Sequence, residues 1–423
     1  MKQTWRKSAW PASVVLGALF VVTVLPVSAE GAVGQAASRI AAGSDPGLAI
    51  TALEGVFCTS AGNCWAVGQS QRSGSGPALN QLLHWNGKKW HSFRVPQPGG
   101  TTGHDYNTLT EVRCVYSRDC WAVGYYLNGG ADLDQALHWN GKKWSAVPTP
   151  TPGGTLSGDL NELYDVTCAA AASCWAVGEF GTSSTLANQA LHWNGKRWSV
   201  VRAPDPAGTR AGDTNVLGGV RCTSISRCLA VGFYQSAGSA TIKLNEAMRW
   251  NGKKWKLQAM PNPGGSAGAE SELVSLGCGS STSCWAVGFY APTSSPEASL
   301  NEILHWNGRK WSLARVPEPH ASAGAFDNLF WVTCIASNDC WAVGDAGAEG
   351  STEDIDNQAL HWNGSQWRLV HVPSKGSGTG TIDALDGARC TSAKNCWAVG
   401  ERLATTGFVD EILHWNGNKW TYT

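Results

Sequence analysis

Cys114-Val-Tyr-Ser-Arg-Asp-Cys120-Trp121-Ala122-Val123-Gly124, followed after a variable loop by Leu137-His138-Trp139-Asn140-Gly141 and then Trp144, decides the fold of this chain. The stretch recurs throughout. Cysteines separated by five residues stand at Cys58 and Cys64, Cys114 and Cys120, Cys168 and Cys174, Cys222 and Cys228, Cys278 and Cys284, Cys334 and Cys340, and Cys390 and Cys396. A Trp-Asn-Gly-x-x-Trp follows each pair, beginning at Trp85, Trp139, Trp193, Trp250, Trp306, Trp362 and Trp415. Successive first cysteines are 54 or 56 residues apart, so one unit is present seven times. Each unit is too short to bury its own apolar face, and the units must share a core. The 423 residues therefore form one architecture, although length alone suggests two or three domains.

The unit from Asn107 to Pro150 reads as four strands. Leu109, Val112 and Cys114 lie on strand A, and Cys120 to Gly124 form a compact apolar strand B that looks buried on both faces. Gln135 to Trp139 make strand C. Asn140-Gly141 signals a hairpin, since both residues tolerate the positive φ of a tight turn. Trp144 then opens strand D, which Pro148 ends by lacking a donor. Four antiparallel strands repeated seven times predict an all-β, seven-bladed β-propeller. Its blades fall at about 51–98, 107–150, 161–204, 215–261, 271–317, 327–373 and 383–423. The alternative, an open solenoid, requires atypical capping units, whereas the first and last units here carry the full Cys, Trp and Asn-Gly set. The chain stops just after Trp420, which predicts a short last strand whose edge residues near Ala49 would patch.

The fourteen cysteines all belong to the repeated pairs, leaving none over. This suits an oxidised framework with one A–B hairpin disulfide per blade: Cys58–Cys64, Cys114–Cys120, Cys168–Cys174, Cys222–Cys228, Cys278–Cys284, Cys334–Cys340 and Cys390–Cys396. On the chain-entropy model each closed loop contributes roughly 2 kcal/mol. Zinc is the rival reading, but each pair lacks the second pair or the histidines that a tetrahedral site needs nearby. Residues 1–29 read as a secretory signal, with Lys2, Arg6 and Lys7 ahead of the apolar Val14 to Val27 and a small-residue site at Val27-Ser28-Ala29. Residues 30–47 form a flexible Ala, Gly and Ser-rich lead-in, and 48–423 the propeller. Cleavage leaves no stable membrane anchor and a net charge of −3, which gives no pull on a polyanion and argues against nucleic acid.

The order of Cys-Trp-Ala-Val-Gly, His-Trp-Asn-Gly and a Trp before Val-Pro resembles the kelch repeat of the galactose oxidase central domain, across about residues 51–423. It is also similar to secreted bacterial proteins carrying the same blocks. The second Gly of the kelch pair is replaced here by Gln69, Tyr125, Glu179, Phe233, Phe289, Asp345 and Glu401. The oxidases of that fold need a tyrosine cross-linked to a free cysteine, and no unpaired cysteine exists, so no oxidase residue carries over.

Strand parity puts the short Cys and Asn-Gly turns on one face and the long variable loops on the other, where function is expected. On that face strand A begins with a small polar residue in every unit, among them Asn107, Asn161, Asn215, Asp327 and Asp383. These ring the channel mouth if A is innermost, and would bind a cation or sugar hydroxyl, or merely bond local backbone. Trp331 stands where other units have Gly55, Glu111, Asp165, Gly219, Ser275 and Gly387, with Phe326, Phe330 and His320 near it, and Tyr106 is a further aromatic candidate. Such rings suit stacking on a sugar, or fill a gap between blades. Blade four departs from the pattern twice, Leu229 replacing Trp and Arg249 replacing His, which reads as one repacked contact. The repeated histidines are spread around the ring and read as structural, bonded to a backbone carbonyl.

No G-x-S-x-G, H-E-x-x-H or phosphate-loop motif occurs. Carboxylate pairs such as Glu270 with Glu272, Glu353 with Asp354, or Asp383 with Asp386 serve a glycosidase only if folding sets two at the right separation. The expectation is a secreted, monomeric, non-catalytic binding or scaffold propeller, without cofactor or metal, whose long-loop face meets a carbohydrate or protein. The alternatives are an extracellular glycan hydrolase or lyase with acids at the channel mouth, and a structural wall or spore component.

Overall fold

A computed structural model describes residues 49–72, 76–239, 242–265, 270–295, 298–320, 324–348, 354–375, 381–405 and 407–423. The expected signal (1–29) and lead-in (30–47) lie outside the described residues. Blade two shows the common plan: strands A (Asn107–Tyr116), B (Asp119–Asn128), C (Ala131–Trp139) and D (Trp144–Val147) pair antiparallel in chain order. The other A strands are Ala49–Ser60, Asp159–Ala170, Thr214–Ser224, Glu270–Ser280, Phe326–Ala336 and Thr381–Ser392, each followed by its own B, C and D. The fold is thus a propeller of seven four-stranded blades. Each A–B hairpin is stapled, with all seven disulfides formed and paired Cα atoms 3.9–4.0 Å apart.

The repeated Cys-Trp-Ala-Val-Gly is explained by a strand buried on both faces. Cys120 and Ala122 pack in the interface with blade one, while Trp121 and Val123 pack in the interface with blade three. Gly124 ends the motif because a Cβ there would lie 2.1 Å from the Thr108 carbonyl of strand A, beside the bulge between Leu109 and Glu111. The C–D turn differs from the expected two-residue form. Trp139 pairs with Trp144, so four residues connect the strands, and only Gly141 has positive φ (86°). Asn140 instead accepts the amides of Lys142 (3.0 Å) and Lys143 (3.1 Å) through its side-chain oxygen.

The same aromatic clasp holds successive blades together. The strand B Trp of one blade sits on its own strand C His and between the two Trp of the next blade: Trp121 lies 4.5 Å from His138, 4.7 Å from Trp193 and 5.1 Å from Trp198. Trp397 of blade seven meets Trp85 (4.8 Å) and Trp90 (5.2 Å) of blade one, which closes the ring. Strand D has three or four residues in every blade, so Trp420–Tyr422 is not truncated. Ala49 and Ile50 do not patch it; they pair in parallel with Gly407 and Phe408 of strand C.

A second closure is a belt of side-chain hydrogen bonds between neighbouring C strands. Asn80 donates to Gln135 (2.7 Å), Gln189 to Asp134 (2.5 Å), Asn188 to Glu246 (2.9 Å) and Asn245 to Glu302 (2.5 Å). Asn301 donates to Gln358 (2.6 Å), Asn357 to Glu411 (2.9 Å), and Gln81 of blade one to Asp410 of blade seven (2.5 Å). The Asn80–Gln135 pair is reciprocal, Gln135 donating back to the Asn80 oxygen at 3.0 Å. Two of these glutamines also donate to backbone carbonyls: Gln135 to Thr108 (2.7 Å) and Tyr125 (2.8 Å), and Gln358 to Asp345 (2.9 Å).

Glu411 occupies the same place, and burial pushes its carboxyl up to about 8 from the ordinary 4.5. The folded state therefore holds this proton more tightly than the unfolded chain. Its contribution to stability is complete below about pH 4.5 and is lost as pH rises through 8. Glu411→Gln, which supplies the amide that other blades use, is expected to raise stability at pH 8 by about 1–2 kcal/mol and to leave it unchanged near pH 4. Urea denaturation at the two pH values checks this; equal effects at both would refute the neutral carboxyl.

Candidate functional site

Strand A is innermost. Thr110 donates to the Leu163 carbonyl of the next A strand (2.8 Å), Asp165 accepts the Val220 amide (2.7 Å) and Ser275 the Val332 amide (3.3 Å), and a Cβ on Gly387 would meet Glu54 at 2.7 Å. The axis they enclose is filled in layers. Toward the long-loop face Tyr164, Val216, Phe233, Val274 and Phe289 cluster with Tyr125 and Phe330, residues of five blades that meet only at the axis. Toward the Cys-turn face lies a charged layer. Arg221 donates to Asp165 (2.6 Å) and stacks on Trp331 (5.1 Å), while Arg113 and Arg389 stack on Phe57 at 4.9 and 4.4 Å. Burial pushes the Glu111 carboxyl up to about 8 against the pull of Arg113, and lowers Arg113 to about 9 and Arg389 to about 10, with Arg221 adding repulsion to both.

The residues expected at the long-loop mouth fall mostly inside the protein. Asn107, Asn161 and Asn215 are fully buried, and they fasten the incoming connection. Asn107 accepts the Gly99 amide (2.7 Å) and donates to the Ala78 (3.2 Å) and Gly100 (3.1 Å) carbonyls; Asn161 and Asn215 repeat the pattern. Asp327 accepts the His320 amide (3.1 Å), and Asp383 is buried beside Glu411. Trp331 is buried among Trp341, Val343 and Leu385, filling the gap between blades six and seven. Phe326 lies over Gly347, and Tyr106 stacks on Tyr125 (5.9 Å). Of the nine, only Phe330 joins the axial cluster directly, and Tyr106 reaches it through Tyr125. Two carboxylate pairs are brought together: Glu162 and Glu179 both bond the Tyr164 hydroxyl, at 2.8 and 2.9 Å, and Glu318 shares a hydrogen bond with Asp327.

The opposite face has the open cleft and the free charge. Register puts A–B and C–D turns at one end of every blade, and Trp85 donates to the Ala61 carbonyl (3.1 Å) to tie them together. The Asn-Gly turns carry basic pairs at 88–89, 142–143, 196–197, 253–254 and 309–310, with Lys419 in blade seven, all of them exposed. Arg118, Arg227 and Lys394 add to them from exposed A–B turns. Of the chain's 32 acidic residues only Asp119 and Asp339 stand in these turns, and they bond His138 (2.8 Å) and His361 (2.9 Å). A net charge near zero therefore does not describe this face: the fold gathers cations on it, and local potential is what a ligand meets. Blade six, with Ser365 and Gln366, interrupts the arc.

Between blades four and five this face opens into a cleft of about 200 Å³, lined by Arg221, Arg227, Leu229, Arg249, Trp306 and the neighbouring turns. Leu229 and Arg249 are paired across strands, as expected of adjacent residues; Leu229 is buried against Trp306 and Trp311, while Arg249 is exposed at the cleft. A third departure accompanies them. In six blades the His bonds a polar side chain just before the second Cys, as His84 does Asn63 (2.6 Å) and His414 does Asn395 (2.7 Å), where a backbone carbonyl was expected. Blade four has Arg227 there. The signal for it was legible, since Asn63, Asp119, Ser173, Ser283, Asp339 and Asn395 are all polar and none is basic.

No family model matches the chain, and no curated protein matches it in sequence. Among solved structures it resembles the β-propeller domain of the Trilobed protease from Pyrococcus furiosus (7% identity, TM-score 0.47, 89% of this chain and 97% of that one). It also resembles a GH74 xyloglucanase from Xanthomonas campestris (11% identity, TM-score 0.50, 90% and 55%) and the acylaminoacyl peptidase of Pyrococcus horikoshii (9% identity, TM-score 0.51, 87% and 51%). The chain spans about half the length of the last two. At such identities the likeness is one of fold, and the fold is a β-propeller.

Proposed function

We propose that this chain is a secreted, non-catalytic binding propeller of kelch-like pattern whose Cys-turn face holds an acidic polysaccharide. The segregation of charge carries this reading: fourteen exposed lysines and arginines stand in the turns of one face against two acids already bonded to histidine. Cations spaced along an arc attract an extended polyanion, and half-buried indoles beside them, such as Trp85, Trp193 and Trp415, offer flat apolar surface to sugar rings. Export and seven disulfides favour an extracellular glycan over nucleic acid.

The test is binding of the full chain to polygalacturonate, dextran and duplex DNA at about 50 and about 500 mM salt. Binding to polygalacturonate that weakens with salt, with little to dextran, is expected, and reversing Lys88, Lys89, Lys142 and Lys143 to Glu should lower affinity by about tenfold or more. Binding to dextran equal to that of polygalacturonate, or a preference for DNA, would overturn the proposal. Release of reducing ends would overturn its non-catalytic part.

A further inference from the structure

We infer that the cleft between blades four and five is a subsite for a single anionic sugar ring, one carrying a carboxylate or a sulfate. This inference rests on the reading of the Cys-turn face as glycan-binding and assigns one place on it. Six interfaces are filled by an indole held between two others, and only here is that indole missing. The strand B Trp of blade three enters blade four normally, Trp175 lying 4.7 Å from Trp250 and 5.0 Å from Trp255. At the next interface Leu229 reaches Trp306 and Trp311 and leaves the cleft beside them. A cavity of about 150 Å³ suffices for one six-membered ring, and this one measures about 200 Å³. Leu229 and Trp306 form the buried floor of the cleft, and a pyranose seated there lies above them beside the place that the indole fills elsewhere, between the exposed Arg227 and Arg249.

The charge of the ring follows from the arginines. Six blades place a His hydrogen-bonded to Asn, Asp or Ser at this point, whereas blade four places Arg227 and Arg249 on neighbouring strands. Neither guanidinium has a hydrogen bond or ion pair among the described residues, and no Asp or Glu lines the cleft. Register sets Arg249 opposite Leu229 and makes Arg227 its diagonal neighbour; like charges at that spacing repel, and an anion between them removes the repulsion. Arg221, held by Asp165 at 2.6 Å, forms a third basic wall that does not move with the ligand. Fork-shaped guanidinium donors match a carboxylate or sulfate better than a point charge does.

The experiment uses trigalacturonate and the neutral maltotriose with the full chain, read by calorimetry. Wild type is expected to bind trigalacturonate and not maltotriose. The triple variant Leu229→Trp, Arg227→Asn, Arg249→His restores the pattern of the other blades; it is expected to lose trigalacturonate binding by about ten- to a hundredfold while its melting temperature rises. Arg249→Gln, which leaves the packing alone, should show the same direction with a smaller loss. Unchanged trigalacturonate affinity in both variants would overturn the subsite, as would equal binding of maltotriose. Polygalacturonate bound by wild type and by the triple variant alike would sink the subsite and leave the face intact; no polygalacturonate binding by wild type sinks the reading of the face itself.

Discussion

Trp121→Ala is expected to cost about 3–5 kcal/mol of stability, among the largest effects of any single truncation in the propeller. The indole is fully buried and touches His138 within its blade and Trp193 and Trp198 of the next, so its removal opens a void that two rigid rings cannot collapse into. The cost falls on a contact between blades, and the disulfide of blade two, at the strand end, does not compensate for it. The midpoint of guanidinium denaturation followed by tryptophan fluorescence measures the loss. A cost below about 1 kcal/mol would mean that the clasp does not hold the blades together. Leu229, at the equivalent place in blade four, supplies the internal control, and Leu229→Ala should cost less because a buried leucine gives up fewer contacts than a buried indole.

Asp165→Ala should be as damaging for a different reason. Asp165 is fully buried at the axis, where one oxygen accepts both the Val220 amide (2.7 Å) and the Arg221 guanidinium (2.6 Å). Removing the carboxylate leaves a buried cation beside Arg113 and Arg389, which already repel it, and an orphaned amide. Loss of one member of such a pair costs about 3–5 kcal/mol, most of it the penalty on the charge left behind. The joint replacement Asp165→Leu with Arg221→Met removes both charges and should recover roughly half of the loss or more. If the double variant is no more stable than Asp165→Ala, the penalty does not come from the unpaired guanidinium.

Much of this architecture was legible because a repeat averages away local ambiguity. A single Cys-Trp-Ala-Val-Gly is a short apolar run, but seven of them at even spacing require strands buried on both faces and a shared core. The hairpin disulfides and the four-strand order followed from spacing alone. The site was less legible. Aromatic Trp331 and the small polar residues at strand A drew attention as breaks or rings in the pattern, yet nothing in sequence shows that the axis is too narrow to expose them. Leu229 and Arg249 were visible as departures, and their meaning depended on whether the space left by Trp and His closes or stays open. Arg227 passed unnoticed, because its significance is the hydrogen bond that the other six blades make at that position.

The sequence by itself determined seven blades, their fastening and the places where copies differ, since all of these are properties of spacing and residue type. Strand parity and the lysines after each Asn-Gly already place cations on the Cys-turn face. Only the tertiary structure decided that these side chains are exposed and that the two acids among them are bonded to histidines. It also decided that three substitutions in blade four open one cleft, because they lie on paired strands facing the two indoles of blade five.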